Sequence, residues 1–249
     1  MSKSISIKNK TVFVSGANRG IGKAIVEEFI NQGAKKVFLG VRNTSNTKEL
    51  EEKYGNRVQS VQLDVTDANS INNLPSSLSE VDILINNAGV LVNGTVESEG
   101  FEESLQQNLE VNTYGVIRLT NKFLPTLKEK SEAAILTIGS LVSLGSMPML
   151  GTYSISKAAV QSVIQAYRAH LSDHNILVSG IYPGPIETDM TDGFEMDMDS
   201  TENVAKAIAH GLEEGQEYIF PDKMSVEAGS LFLTAPLEVE KMFAEFKEG

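Results

Sequence analysis

The stretch that most constrains how this chain can fold is Ser15-Gly16-Ala17-Asn18-Arg19-Gly20-Ile21-Gly22. It follows a short β-rich run, Lys10 to Ser15, and leads into a helical apolar pattern over Lys23 to Asn31. Strand, glycine turn and helix in that order place small residues where a backbone can close on a pyrophosphate, at a helix end with unpaired N–H groups and partial positive charge. Gly16, Asn18, Arg19, Gly20, Ile21 and Gly22 are therefore candidate contacts for a dinucleotide. The spacing is Gly-x3-Gly-x-Gly rather than the commoner Gly-x-Gly-x-x-Gly. A glycine turn also serves tight strand–helix packing, so the loop alone leaves both uses open.

Strand-like and helical stretches continue to alternate. Val37 to Val41 reads as a second strand, ending about 20 residues past the glycine loop, where an adenosine ribose is read in such folds. An acid there accepts from a 2′-hydroxyl, whereas an arginine matches a 2′-phosphate. The chain has Arg42 and no acid between Gly40 and Asn43, with Arg19 as a second cation for the same phosphate. Two solvated surface arginines would look the same, yet the pair tilts the expectation towards NADP over NAD. The strand Arg57 to Leu63 ends in Asp64 and Val65. Asp64 is placed either to accept from an adenine amino group or to cap the next helix, a role for which Asp67 and Ser70 compete. Val81 to Ile85 is a fourth strand, and Asn86-Asn87-Ala88-Gly89 behind it either lie close to a cofactor or form a plain turn.

Ala133 to Ile138 reads as a buried parallel strand leading to Ser140, and the loop after it returns to a helix from Tyr153 to Leu171. Ligands of open parallel sheets sit beyond the carboxyl ends of the strands, which puts Ser140 at the rim of a site. Tyr153 and Lys157, four residues apart on one helix face, set an ammonium beside a phenol. A tyrosine titrates near about 10, and reaching about 7 takes roughly 4 kcal/mol at about 1.36 kcal/mol per pKa unit. The adjacent cation supplies part of that and a positively charged cofactor ring bound close by supplies more, and the expected result is a proton donor and acceptor at neutral pH. Such pairs are also common on ordinary amphipathic helices, so the serine and the strand end are what single this one out.

Together these motifs resemble the short-chain dehydrogenase/reductase family in its form with a single Rossmann-type domain. The family's glycine loop matches Ser15 to Gly22, with serine where threonine is more usual. Its Asn-Asn-Ala-Gly signature matches Asn86 to Gly89, and its Tyr-x-x-x-Lys matches Tyr153 to Lys157. The likeness covers residues of about 8 to 222. It implies an α/β fold, a doubly wound, parallel, Rossmann-like sheet, with residues 1–249 as a single domain. It implies an NADP(H)-dependent oxidoreductase of the alcohol dehydrogenase or carbonyl reductase type, moving a hydride reversibly between nicotinamide and a small-molecule ketone, aldehyde or alcohol. By the same resemblance Asn112, Ser140, Tyr153 and Lys157 form the catalytic set. Tyr153 protonates the substrate oxygen and Ser140 hydrogen-bonds it. Lys157 lowers the tyrosine pKa and holds the nicotinamide ribose, while Asn112 positions a water linking Lys157 to solvent. The rigid turn from Tyr182 to Thr188 closes over the nicotinamide, with Pro183, Gly184, the backbone of Ile186 and the hydroxyl of Thr188 near its carboxamide. A regulatory protein of this fold that binds NADP(H) without turnover is the alternative, and the presence of all four catalytic residues argues against it.

The remaining segments refine this picture. Phe101 to Leu124 is expected as a helix ending at Pro125. Asp189 to Ser200 carries Met190, Phe194, Met196 and Met198 among acids, and reads as a mobile lid with an apolar underside or as a solvated loop. The lid assignment extends over residues 189–215 and takes in a helix from Ser200 to His210. After a last strand, Glu217 to Phe220, residues 222–249 form a variable tail in which Ala235 to Phe246 is an amphipathic helix opened by Pro236. That tail departs from the glycine-rich ending of ketoacyl-carrier-protein reductases and puts their tetramer in doubt. A homo-oligomer, dimer or tetramer, is otherwise what the resemblance implies. Leu141, Leu144, Met147, Met149, Met190 and Phe194 are the expected pocket lining, suited to a fairly apolar ketone or aldehyde.

Composition excludes several other classes. The absence of cysteine removes disulfides, thiol nucleophiles and thiolate metal sites, and His170 and His174 lack an acidic partner, so no metal site is expected. With 33 acidic against 21 basic residues and no basic stripe, neither nucleic acid nor an anionic membrane is an expected partner. No apolar run reaches membrane-spanning length, and no hydrophobic segment follows the lysines of MSKSISIKNK, from which a soluble cytoplasmic protein is expected.

Overall fold

Strands whose side chains are nearly all apolar need cover on both faces, and this chain provides it by following most strands with a helix. A computed structural model describes residues 3–246. Its strands are Thr11–Ser15 (β1), Lys36–Val41 (β2), Val58–Gln62 (β3), Ile83–Asn86 (β4), Ala133–Ile138 (β5), Ile176–Ile181 (β6) and Tyr218–Ile219 (β7). They pair in the order β3-β2-β1-β4-β5-β6-β7, every pair parallel. The helices are Gly20–Asn31 (α1), Lys48–Tyr54 (α2), Ala68–Asn72 (α3), Phe101–Leu109 (α4), Gly115–Lys128 (α5), Gly151–His170 (α6), Thr201–Glu213 (α7), Lys223–Thr234 (α8) and Pro236–Ala244 (α9).

Successive strand residues point to opposite faces, and each face has its own core. Val12, Val14, Leu39 and Ile85 meet Phe29 of α1 and Ile208 of α7 on one side. Phe13, Phe38, Leu84 and Val178 meet Phe123 of α5 and Ile164 of α6 on the other. The result is the expected doubly wound, Rossmann-like sheet. Its winding reverses between β1 and β4, and the crevice at their carboxyl ends is where such sheets bind ligands. A third, smaller core lies over those ends, joining Leu141, Val142, Met147 and Leu150 to Ala228 of α8 and to Val239 and Phe243 of α9.

Three segments differ from expectation or extend it. The helix expected over Phe101 to Leu124 is two helices joined by a π-turn at Glu110–Tyr114, and α5 runs on to Lys128 with Pro125 inside it. A proline loses its own N–H bond and crowds the carbonyl four residues back, and burial of Leu127 against the sheet offsets that cost in the last turn. α8 was not anticipated; it starts at a capping box in which Asp222 accepts from Ser225 N and the Ser225 hydroxyl accepts from Asp222 N. Within 189–215, α7 packs against the sheet through Val204, Ala205 and Ile208. The stretch before it is a loop pinned at its base, where Glu187 N donates to Asp199 O (3.0 Å) and Asp199 N to Pro185 O (3.2 Å). The tail residues 247–249, like Met1 and Ser2, lie outside the described residues. Among the described residues no helix is long and apolar enough to cross a membrane.

Candidate functional site

The glycine loop is held from below by a side chain on β1. The buried Ser15 hydroxyl accepts from the N–H groups of Asn87 and Ala88, both at 3.0 Å. In return Asn87 Nδ2 donates to the carbonyls of Ser15 (2.9 Å) and Gly16 (3.0 Å). Ser15 and Asn87 thus tie the ends of β1 and β4 into one knot. Gly16, at φ +68°, adopts left-handed backbone that favours glycine, and a Cβ on Gly22 would stand 2.2 Å from Gly16 O. No side chain caps α1, so the backbone N–H groups of its first turn remain available to a ligand.

Above this floor runs a cavity of about 1340 Å³. At one end Arg42, Asp64 and Val65 line it beyond β2 and β3. Burial pushes the Asp64 carboxyl up, but hydrogen bonds from the Thr66 hydroxyl and N–H, together with the Arg42 guanidinium, hold it below its ordinary value. Helix capping falls to Asp67, which accepts from Asn69 N, so Asp64 keeps its place in the cavity lining. Gly16, Asn18, Arg19, Gly20, Ile21 and Gly22 line the middle with Asn87, Ala88 and Gly89, and Pro183, Gly184, Ile186 and Thr188 face them. The Arg19 guanidinium also lines the cavity and makes an exposed pair with Asp189 at 2.7 Å.

At the other end Ser140, Tyr153 and Lys157 converge. Tyr153 reaches this place because the loop after β4 is clamped to the start of α6. Asn108 exchanges hydrogen bonds with the backbone of Val92, Asn112 does the same with Val90, and Thr152 donates to Val92 O. Asn112 also donates to Ser156 Oγ at 3.0 Å. Its buried amide therefore serves the framework beside Tyr153. The expectation that Lys157 draws the phenol towards neutral pH is not met in the protein alone. Burial pushes Tyr153 up to about 12, against a smaller lowering from its hydrogen bond with Ser140. Lys157 is itself pushed down to about 8 by burial, and its Nζ donates to Ile138 O at 2.9 Å while lying 5.6 Å from the Tyr153 ring centre. Desolvation outweighs the attraction that the four-residue spacing suggests.

Sequence reasoning missed three side chains that shape the site. Ser15 and Asn108 act through buried hydrogen bonds that no local pattern announces. Asp222, only 6 % exposed, accepts from Gly184 N at 2.8 Å and from Ser225 N at 2.9 Å, fixing the turn over the cavity. The Asp-x-x-Ser spacing was the available signal for it. Leu141, Met147, Met149, Met190 and Phe194 line the cavity as expected, whereas Leu144 packs into the third core.

This donor set fits a nicotinamide dinucleotide. Uncapped helix N–H groups and close glycine backbone suit a pyrophosphate, Arg42 stands at the adenosine end, and Lys157 with Tyr153 stands at the other. The model of a family described as short chain dehydrogenase matches residues 10–208. An NADPH-dependent 3-dehydrocapnine reductase from Ornithobacterium rhinotracheale is 36% identical over 187 residues, which cover 71% of this chain and 65% of that protein. The match thus spans just under two thirds of that relative's length. The crystal structure of a short chain dehydrogenase from Burkholderia cenocepacia J2315 in complex with NADP is similar at a TM-score of 0.89 and 27% identity, over 96% of this chain and 99% of that one. A 3-ketoacyl-(acyl-carrier-protein) reductase from Brucella melitensis complexed with NADH gives a TM-score of 0.77 at 25% identity, over 86% and 96%.

The Asp222 contacts yield a direct test. Asp222→Asn keeps the volume but leaves one of the two N–H groups without a carboxylate acceptor, and is expected to lower the unfolding free energy by about 1–3 kcal/mol in urea denaturation.

Proposed function

The chain belongs to the short-chain dehydrogenase/reductase family of nicotinamide-dependent oxidoreductases, and from that premise we propose that it reduces ketones or aldehydes reversibly with NADPH. The observation that carries this reading is the convergence of Ser140, Tyr153 and Lys157 in the same cavity as the glycine loop. When bound, NADPH supplies the hydride for the carbonyl carbon. The Tyr153 hydroxyl gives its proton to the carbonyl oxygen, and a phenol at about 12 is in that donor form at neutral pH. The Ser140 hydroxyl donates to the same oxygen and stabilises the charge developing there. Lys157, anchored on Ile138 O, holds the ribose and passes a proton towards Tyr153. Asn112 acts as a positioning residue through Val90 and Ser156.

Preference for NADPH rests on Arg42 directly after β2, with no acid between Gly40 and Asn43 and with Arg19 available once its pairing with Asp189 is exchanged. The named cofactors of the NADPH-dependent relative and of the NADP complex agree with it. The NADH complex shows that family membership alone does not decide the matter. In this reading the chain is one catalytic domain, and the loop between Glu187 and Asp199 is its lid. All four candidate catalytic side chains favour turnover over binding alone.

Tyr153→Phe is expected to leave NADPH affinity within about twofold of the parent and to lower kcat by about 10²–10⁴ on any carbonyl that is turned over; unchanged turnover refutes the assignment. Arg42→Asp should cut the preference for NADPH over NADH at least about tenfold, the loss of one charge-assisted phosphate contact, read from the two kcat/KM values. The free enzyme's kcat/KM for NADPH should fall as pH rises through about 8, where the Lys157 ammonium loses its proton. A profile flat to pH 10 would remove Lys157 from cofactor binding.

A further inference from the structure

Around Tyr153 the cavity forms a chamber lined largely by methionine and other apolar side chains. Five of the chain's eight methionines line the cavity: Met147, Met149, Met190, Met196 and Met224. Its charged lining residues are Arg19, Arg42, Asp64, Lys157, Asp189 and Glu195. Arg42 and Asp64 lie at the adenosine end, Arg19 and Asp189 pair with each other, and Lys157 sits beneath Tyr153. The one remaining charge, Glu195, is a carboxylate on the exposed rim of the lid loop. Among the described residues, no cation faces the chamber on the substrate side, so a carboxylate or phosphate carried by the substrate would find no partner there.

The far wall of this chamber comes from a part of the chain outside the family match, which ends at residue 208. Phe243 and Phe246, on and just after α9, line the cavity with Met224 of α8. The wall is fixed in place. Phe243 and Val239 share one core with Leu141, Met147, Leu150 and Tyr153. A Cβ on Gly145 would stand 3.0 Å from Phe243 and 3.2 Å from Val239, so the helix seats directly on the loop after β5. Met149 N donates to Phe246 O at 3.4 Å. The C-terminal segment therefore closes the space that a substrate's body must occupy when its carbonyl meets Ser140 and Tyr153.

We propose that Phe243 and Phe246 form the specificity wall of this enzyme, selecting a ketone or aldehyde borne on a bulky, uncharged, apolar body. The inference rests on the carbonyl-reductase reading and deepens it. Methionine side chains packed beside two aromatic rings make an adaptable apolar surface, which suits a range of body shapes and rejects anionic ones.

The test uses the full chain with NADPH and a series of neutral ketones of increasing apolar size, each paired with a carboxylate of equal carbon number. The parent protein should show kcat/KM rising with apolar size and at least about tenfold preference for each neutral member over its carboxylate partner. Phe246→Ala, which leaves the buried Phe243 in place, should lower the ratio of kcat/KM for the largest to the smallest ketone about tenfold, chiefly through KM. Phe246→Tyr should restore that ratio. A carboxylate used as well as its neutral partner, or a ratio unmoved in Phe246→Ala at an unchanged melting temperature, overturns the wall while leaving the reductase reading intact. If Phe246→Ala fails to fold, Phe246→Leu and the neutral-against-carboxylate comparison in the parent decide the point. Absence of turnover on every carbonyl with either nicotinamide overturns the reductase reading and the wall with it.

Discussion

The hydroxyl of Ser15 is the contact on which the geometry of the groove depends. Two half-buried backbone N–H groups, those of Asn87 and Ala88, have it as their acceptor. Without it both would lose their protein acceptor, at about 1 kcal/mol each for half-buried groups. The reciprocal bonds from the Asn87 amide tie the glycine loop to the end of β4, at the point where the sheet changes its direction of winding. The same knot sets the distance from the phosphate floor to the chemistry. Gly89, two residues on, lies so close to the catalytic end that a Cβ there would be 3.2 Å from Asn112 Oδ1 and 3.9 Å from Lys157 Nζ.

Burial decides the electrostatics at that end. Tyr153 and Lys157 are both largely removed from water, and each is pushed towards its neutral form, the phenol upwards and the amine downwards. Spacing along a helix establishes that two groups are neighbours, but it says nothing about how much solvent each has lost. Here the ammonium is directed at the carbonyl of Ile138, and it lies over the face of the tyrosine ring, 5.6 Å from its centre. The pair thus favours the acid role of the tyrosine, with the amine as the more readily titrated partner.

Much of this was legible before any coordinates. Parallel strands buried on both faces leave apolar runs that stand out, and the glycine loop, the Asn-Asn-Ala-Gly turn and the Tyr-x-x-x-Lys pair are each local in sequence. What stayed hidden depends on contacts between distant residues. Asn108 and Asn112 look like ordinary helix amides until the loop at Val90 to Val92 is seen between them and α6. Pro125 suggested a helix end because proline disfavours helix locally, and the pull of Leu127 into the core overrides it. Asp222 and α8 fall in the expected tail, because the last of the motifs ends at Thr188 and the capping signal lies beyond it.

The π-turn between α4 and α5 has a consequence for how this chain can vary. An α-helix advances about 100° per residue, so one surplus residue in a turn rotates everything after it by that angle. With the surplus in place, Asn108 and Asn112 face the loop beside the catalytic tyrosine while Leu119 and Phe123 still face the sheet. Losing a single residue between Glu110 and Tyr114 would straighten the helix and throw one of those two faces out of phase. The length of this segment therefore cannot change without detaching the chemistry from the core.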